Sequence, residues 1–260
     1  MKLKNHLILV TKSRLEVKNS LMKLINEGAE LIFFPTIKIK PIYGTEVIDE
    51  LMSESLKYDF IVFTSANAVK IFAKILADYK LDLSRTKIAV VGKTTAEECR
   101  ANGIYIHIIP EEFSAKGLIK KFSQFGIDNK KILIPGSALS REELKLGLTE
   151  LGAEVINLPI YDVVVNDLSE LEDEYKIITS RKPDVFIFTS PSSFENYLKL
   201  MNINDPVDYF TNVTICAIGP TTESEIKSNQ INVNIVPKIY TLEGVADAII
   251  EYFNLTKNLV

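Results

Sequence analysis

The sequence predicts an α/β protein of two similar domains, each a parallel sheet flanked by helices. Three observations carry this. Short apolar runs alternate with stretches of helical periodicity, the runs are apolar at nearly every position, and the chain repeats its own pattern in order.

The runs are LILV (7–10), FIVFTS (60–65), KIAVVG (87–92), KILIPG (131–136), DVFIFTS (184–190) and TICAIG (214–219). They are rich in β-branched and aromatic residues, and those after the first end on Gly or Ser. A strand that is apolar throughout is covered on both faces, the usual condition of a parallel sheet. Helical patterns follow several of them: Val17, Leu21, Leu24 and Ile25 fall on one helix face, as do Leu144, Leu148 and Leu151. Strand alternating with helix gives α/β architecture.

The repeat covers most of the chain. Gly92, Thr94, Thr95, Pro110, Ser114 and Gly117 match Gly219, Thr221, Thr222, Pro237, Thr241 and Gly244 at an offset of 127, from 92 to 219. Asp59, Phe63, Thr64 and Ser65 match Asp184, Phe188, Thr189 and Ser190 at an offset of 125, from 59 to 184. Ser13, Gly28, Ala29, Glu30 and Pro35 match Ser137, Gly152, Ala153, Glu154 and Pro159 at an offset of 124, from 28 to 152. The chain thus reads as unit A (6–35), B (58–126), A′ (131–160) and B′ (184–253). Collinear blocks at nearly one spacing indicate duplication.

With 260 residues, 47% of them hydrophobic and 25% charged, the chain can bury a sizeable core in one or two domains. A net charge of −4 argues against a duplex nucleic-acid binder. Cys99 and Cys216 are isolated, so neither a disulfide framework nor a zinc site is expected. His6 and His107 sit in apolar, strand-like runs without other ligands nearby, and are expected to be structural. The N-terminal apolar run is too short for a signal peptide or a membrane span, so a cytoplasmic protein with no membrane partner is expected.

Polar residues recur where strands end and helices begin: Thr64-Ser65, Lys93-Thr94-Thr95, Ser137, Thr189-Ser190 and Thr221-Thr222. Such residues cap helices. The same geometry aims backbone N–H groups and the positive end of the helix at a ligand, which suits carboxylates. Ligands of parallel α/β sheets bind at the carboxyl ends of strands, so these junctions are expected to line a cleft. Two nucleotide motifs fail. Gly92-Lys93-Thr94 resembles the end of a phosphate-binding loop, but Lys87 stands where its first glycine belongs, and no GxGxxG opens a strand–helix unit. With two histidines, no Ser-His-Asp or Cys-His set is in view. Tyr161, in LPIYDVVV (158–165), is the candidate acid; its repeat partner in FPTIKIKP (34–41) is Ile37.

Taken in order, ILVTKS (8–13), GAE (28–30), YDFIVFTSANAV (58–69), KIAVVGKTTAEECRANG (87–103), EEFSAKGL (111–118), IPGSALSREEL (134–144), GAEVINLPIYDV (152–163), DVFIFTSPSS (184–193), AIGPTT (217–222) and IYTLEGVADAI (239–249) resemble the uroporphyrinogen-III synthase family over nearly the whole chain. The resemblance implies two α/β domains joined by a two-stranded β ribbon. Domain 1 would hold 1–35 and 167–260, domain 2 would hold 43–157, and 36–42 and 158–166 would be the linker strands. A would then pair with B′, and B with A′.

The family converts hydroxymethylbilane to uroporphyrinogen III, inverting ring D and losing water, without metal or organic cofactor. The free substrate closes unaided to the uninverted isomer, so the enzyme's task is positioning. By motif, Tyr161 matches the linker tyrosine proposed to assist hydroxyl loss. Lys12, Arg14, Thr64, Ser65, Asn67, Thr94, Thr95, Ser137, Ser190, Ser192, Thr221 and Thr222 fall on substrate-binding segments. Lys12 stands where many members have Arg, and Gly136 where many have Arg before Ser137; a basic contact would be either lost or replaced by Arg141 or Lys93. A monomer is expected. The alternative is a non-catalytic module that grips a polycarboxylate; Tyr161 together with GPTT counts against it.

Overall fold

The computed structural model describes residues 3–17, 19–42, 49, 58–138 and 142–257. In chain order come β1 (Leu7–Val10), α1 (Arg14–Val17), α2 (Met22–Asn26), β2 (Glu30–Phe33), β3 (Ile37–Pro41) and β4 (Phe60–Phe63). Next are α3 (Ala66–Tyr79), β5 (Lys87–Val90), α4 (Lys93–Ala101), α5 (Ala115–Ser123), β6 (Lys131–Ser137), α6 (Glu142–Glu150) and β7 (Glu154–Val165). The chain ends with α7 (Glu172–Ser180), β8 (Val185–Phe188), α8 (Pro191–Leu200), α9 (Pro206–Tyr209), β9 (Thr214–Ala217), α10 (Pro220–Ser228) and α11 (Leu242–Lys257).

These elements form two compact units. Unit 1 comprises Met1–Lys38 and Val165–Val260, and unit 2 is Ile39–Val164. Unit 1 holds a four-stranded sheet, β2-β1-β8-β9, and unit 2 a five-stranded sheet, β3-β7-β6-β4-β5. The pairs β1–β2, β1–β8 and β8–β9 are parallel, as are β4–β5, β4–β6 and β6–β7. The parallel α/β fold is therefore present in both units, and A shares its sheet with B′ while A′ shares its sheet with B. Beside β3, the N–H of Ile42 donates to the Ile160 carbonyl and that of Asn166 to the Thr36 carbonyl. One residue number rises as its partner's falls, so β3 and the second half of β7 run antiparallel.

The apolar runs become strands because each side of the sheet has its own core. On β1, Leu7 and Leu9 enter one cluster while Ile8 and Val10 enter the opposite one. On β4, Ile61 and Phe63 face one cluster, Phe60 and Val62 the other. The repeated GAE has a backbone reason: Gly28 and Gly152 both stand at positive φ, +93° and +86°, where the chain turns from helix into strand.

The repeated aspartates are also explained. Asp59 and Asp184 immediately precede β4 and β8, and each carboxylate accepts the first N–H of the neighbouring strand. Lys131 donates to Asp59 at 2.9 Å and Leu7 to Asp184 at 2.7 Å. Desolvation opposes ionisation of Asp59, but the Lys131 N–H and the Lys130 ammonium at 3.0 Å prevail and hold its carboxyl below the ordinary 3.8. A carboxyl depressed in the folded state stabilises fully above its unfolded value and loses that contribution as pH falls through the folded one. Asp59→Asn should therefore lower the melting temperature at pH 7, and the gap from wild type should narrow at pH 3. An equal gap at both pH values would refute this role for the charge.

Two local expectations are corrected. Residues 14–26 do not form one helix: α1 and α2 are separated by a turn at 19–21, where Asn19 and Ser20 are turn formers. Val17, Leu21 and Leu24 are buried as expected, but Ile25 is 43% exposed. Neither histidine lies in a strand. His6 precedes β1 and packs edge-on against Phe253, while His107 Nδ1 accepts the Ile88 N–H at 3.0 Å. Among the described residues, no helix is long and apolar enough to cross a membrane.

Candidate functional site

In each sheet two central strands lead their connections outward in opposite directions: β1 and β8 in unit 1, β6 and β4 in unit 2. The crevice beyond the carboxyl ends of such a pair is the standard ligand position of open parallel sheets. In unit 2 a cavity of about 730 Å³ opens there, lined by Thr64 after β4, Ser137 at the end of β6, Asn157 and Tyr161 of β7, and Ser114 and Lys116 at the start of α5. Glu112, Phe113 and Glu143 also border it.

Tyr161 reaches this cavity through an irregular register. Gly136 lies opposite Pro159, but Ser137 lies opposite Tyr161, which leaves Ile160 as an extra residue in β7. Consecutive strand residues normally point to opposite faces. The irregularity lets Ile160 and Tyr161 pack into one cluster, 0% and 6% exposed. The Tyr161 phenol oxygen stands 3.0 Å from Ser65 Oγ. Ser65 is the N-cap of α3 and accepts the Ala68 N–H at 3.1 Å.

The equivalent position in unit 1 holds a smaller cavity of about 70 Å³, lined by Thr11, Lys12, Glu16, Thr36, Ser190 and Ser192 among others. Lys12 Nζ contacts Glu16 at 3.1 Å, and Glu16 also accepts the Ser13 N–H and hydroxyl. Desolvation works against the Glu16 charge, yet these bonds keep its carboxyl below the ordinary value. Ser190 caps α8 in a reciprocal arrangement with Ser193 and lies 3.1 Å from Ser192 Oγ. The Thr36 hydroxyl is fully buried and has no hydrogen-bond partner among the described residues.

The fold thus brings Thr64, Ser65, Ser137 and Tyr161 together in unit 2, and Lys12, Ser190 and Ser192 together in unit 1. Thr189 joins them in the unit 1 cavity, whereas Arg14, Asn67, Thr94, Thr95, Thr221 and Thr222 line neither cavity. Arg14 lies over the Phe33 ring at 5.0 Å, and Asn67 is an exposed residue in the first turn of α3. Thr94 and Thr221 are exposed, but Thr95 and Thr222 are turned inward, 2% and 1% exposed. Their helices follow β5 and β9, which lie one strand away from the crevice, and both begin at a glycine with no side-chain cap. Gly136 is buried in β6, Lys93 is exposed, and Arg141 lies outside the described residues.

Sequence reasoning missed Ser114, Lys116 and Asn157 in unit 2 and Thr36 in unit 1. Ser114 was visible as part of the repeat, and its role as N-cap of α5, accepting the Gly117 N–H at 3.0 Å, is shared by Thr241 with Gly244 at 3.1 Å. Among the described residues no group of three or more His, Cys, Asp or Glu could hold a metal. Burial pushes the Cys99 thiol up to about 11 and Cys216 up to about 12, so neither is a thiolate nucleophile at neutral pH.

Most of the chain matches known relatives. A uroporphyrinogen-III synthase of Chlorobaculum parvum is 28% identical over 248 residues, covering 94% of this chain and 98% of its own. One from Synechococcus elongatus is 30% identical over 236 residues, 88% of each. The solved uroporphyrinogen-III synthetase of Helicobacter pylori superposes with a TM-score of 0.63 at 16% identity, over 95% of this chain and 99% of that one, which establishes the shared fold. The family model described as uroporphyrinogen-III synthase HemD matches residues 21–247. The chain belongs to the uroporphyrinogen-III synthase HemD family.

Proposed function

We propose that this protein is a uroporphyrinogen-III synthase, a hydro-lyase that closes hydroxymethylbilane to uroporphyrinogen III with inversion of ring D, in heme or siroheme synthesis. The observation that carries the reading, beside family membership, is Tyr161. A phenol stands at the edge of a cavity bordered by serine, threonine and asparagine side chains and by the start of α5. A phenol is neutral near pH 7 and can give a proton to a departing hydroxyl.

Each unit, taken by itself, carries its own set of donors. Hydroxyl and amide groups such as Ser137, Asn157 and Thr64, with Lys116, receive acetate and propionate groups in unit 2. Lys12, Ser190 and Ser192 offer a second set in unit 1. Charge-assisted hydrogen bonds of this kind are worth about 1.5–3 kcal/mol each. Tyr161 assists loss of the terminal hydroxyl, and the held geometry decides which carbon of ring D is attacked. Ring closure with loss of water is redox-neutral, and the pyrrole nitrogen supplies the electron push, so the reaction asks for no metal or organic cofactor. A cytoplasmic monomer without nucleic-acid or membrane partners fits a small, water-soluble substrate.

The purified chain, given freshly prepared hydroxymethylbilane with a chelator present, should yield mainly isomer III by chromatography. Isomer I alone, at the rate of the enzyme-free control, would overturn the proposal.

A further inference from the structure

We infer that Ser65 is a positioning residue for Tyr161, donating its hydroxyl proton to the phenolic oxygen so that the phenol's own proton is left for the substrate. This rests on the reading of Tyr161 as the acid that assists hydroxyl loss. The two oxygens are 3.0 Å apart, and Ser65 Oγ already accepts the Ala68 N–H at 3.1 Å. A hydroxyl has one proton and two lone pairs. With one lone pair taken by Ala68, the Ser65 proton is free to turn toward Tyr161. The N–H donated to Ser65 polarises its O–H, and the N-terminus of the 14-residue helix α3 favours negative charge beside it.

The duplication supplies an internal comparison. Ser190 holds the same capping position before α8 in unit 1, yet its hydroxyl partner is Ser192, and Ile37 stands in the place of the tyrosine. Capping is common to both serines; the link to a phenol belongs to Ser65.

During the step, the bond from the hydroxymethyl carbon to oxygen breaks and its electron pair stays on oxygen. The Tyr161 proton joins that oxygen to form water. The pyrrole nitrogen lone pair fills the vacancy at carbon and leaves an azafulvenium cation. The phenolate keeps the Ser65 hydrogen bond and later recovers a proton from the pyrrole. Ser65 itself neither gains nor loses a proton.

The test is a double-mutant cycle in full-length protein. Glycine is a good N-cap, so Ser65→Gly removes the hydroxyl while sparing the helix. It should lower kcat about tenfold with KM little changed, the worth of one hydrogen bond to an oxygen gaining charge. In the Tyr161→Phe background the same change should cost nothing further, and Ser65→Thr should restore most of the rate. The Tyr161 13Cζ resonance should move in Ser65→Gly and return in Ser65→Thr. An equal loss in both backgrounds would reduce Ser65 to a helix cap and leave Tyr161 untouched. Wild-type turnover by Tyr161→Phe would remove the acid and Ser65's catalytic role together.

Discussion

Tyr161→Phe is expected to lower kcat about 10–100-fold while isomer III remains the product, at or below the low end of the roughly 10²–10⁴ that general-acid assistance gives. The effect is partial because the substrate loses its hydroxyl readily, pushed by the pyrrole nitrogen. It is not negligible, because a phenol placed at the cavity can hand its proton to the departing oxygen directly. The Tyr161 side chain is buried in the cluster that also holds Leu158, Ile160 and Phe63, so the phenyl ring of the variant keeps its packing. What disappears is one oxygen and its contact with Ser65. Loss in kcat with KM nearly unchanged would assign the hydroxyl to the transition state and not to ground-state binding. A rate equal to wild type would mean that the side chain only packs, and that positioning alone does the chemistry.

Tyr161 was visible in the sequence, while its geometry was not. The strands were legible because parallel sheets need apolar residues on both faces, and the six runs all became strands. The repeat exposed Asp59 and Asp184 as equivalent, but not their task, since a carboxylate accepting a neighbouring strand's N–H depends on long-range pairing. The irregular register at Gly136–Ser137 is likewise a property of two strands together. Lys116 on α5 and Asn157 on β7 meet at the cavity only through the tertiary arrangement of that helix and that strand, which no local pattern encodes. Thr95 and Thr222 shared the strand–helix signature of Thr64 and Thr189, yet strand order sets β5 and β9 beside the crevice strands, and both threonines are buried. A junction motif says that a helix begins there; the position of its strand in the sheet decides whether the junction faces a ligand.

Gly117→Ala and Gly244→Ala should each destabilise the protein by about 2 kcal/mol or more, although alanine is the better helix former. Both glycines sit in the first turn of their helices, α5 and α11. A Cβ on Gly117 would lie 2.1 Å from the Glu112 carbonyl oxygen, and one on Gly244 would lie 2.1 Å from that of Ile239. These carbonyls are not free to retreat, because each accepts a bond from the capping residue, Ser114 or Thr241, at 2.8 Å. Helix propensity favours alanine by about 1 kcal/mol. Overpacking against fixed backbone costs about 1–3 kcal/mol and occasionally more, and here the obstacle is a hydrogen-bonded main chain. The clash therefore outweighs the gain. For a chain of this length, 2 kcal/mol corresponds to a fall of about 4–8 °C in melting temperature. Lys120→Ala, on the exposed face of α5, serves as control and should stay within about 0.5 kcal/mol of wild type. A Gly117→Ala protein as stable as wild type would show that the 111–114 turn yields easily. Any displacement of the turn that relieves the clash should also raise KM, because Glu112, Phe113 and Ser114 border the unit 2 cavity.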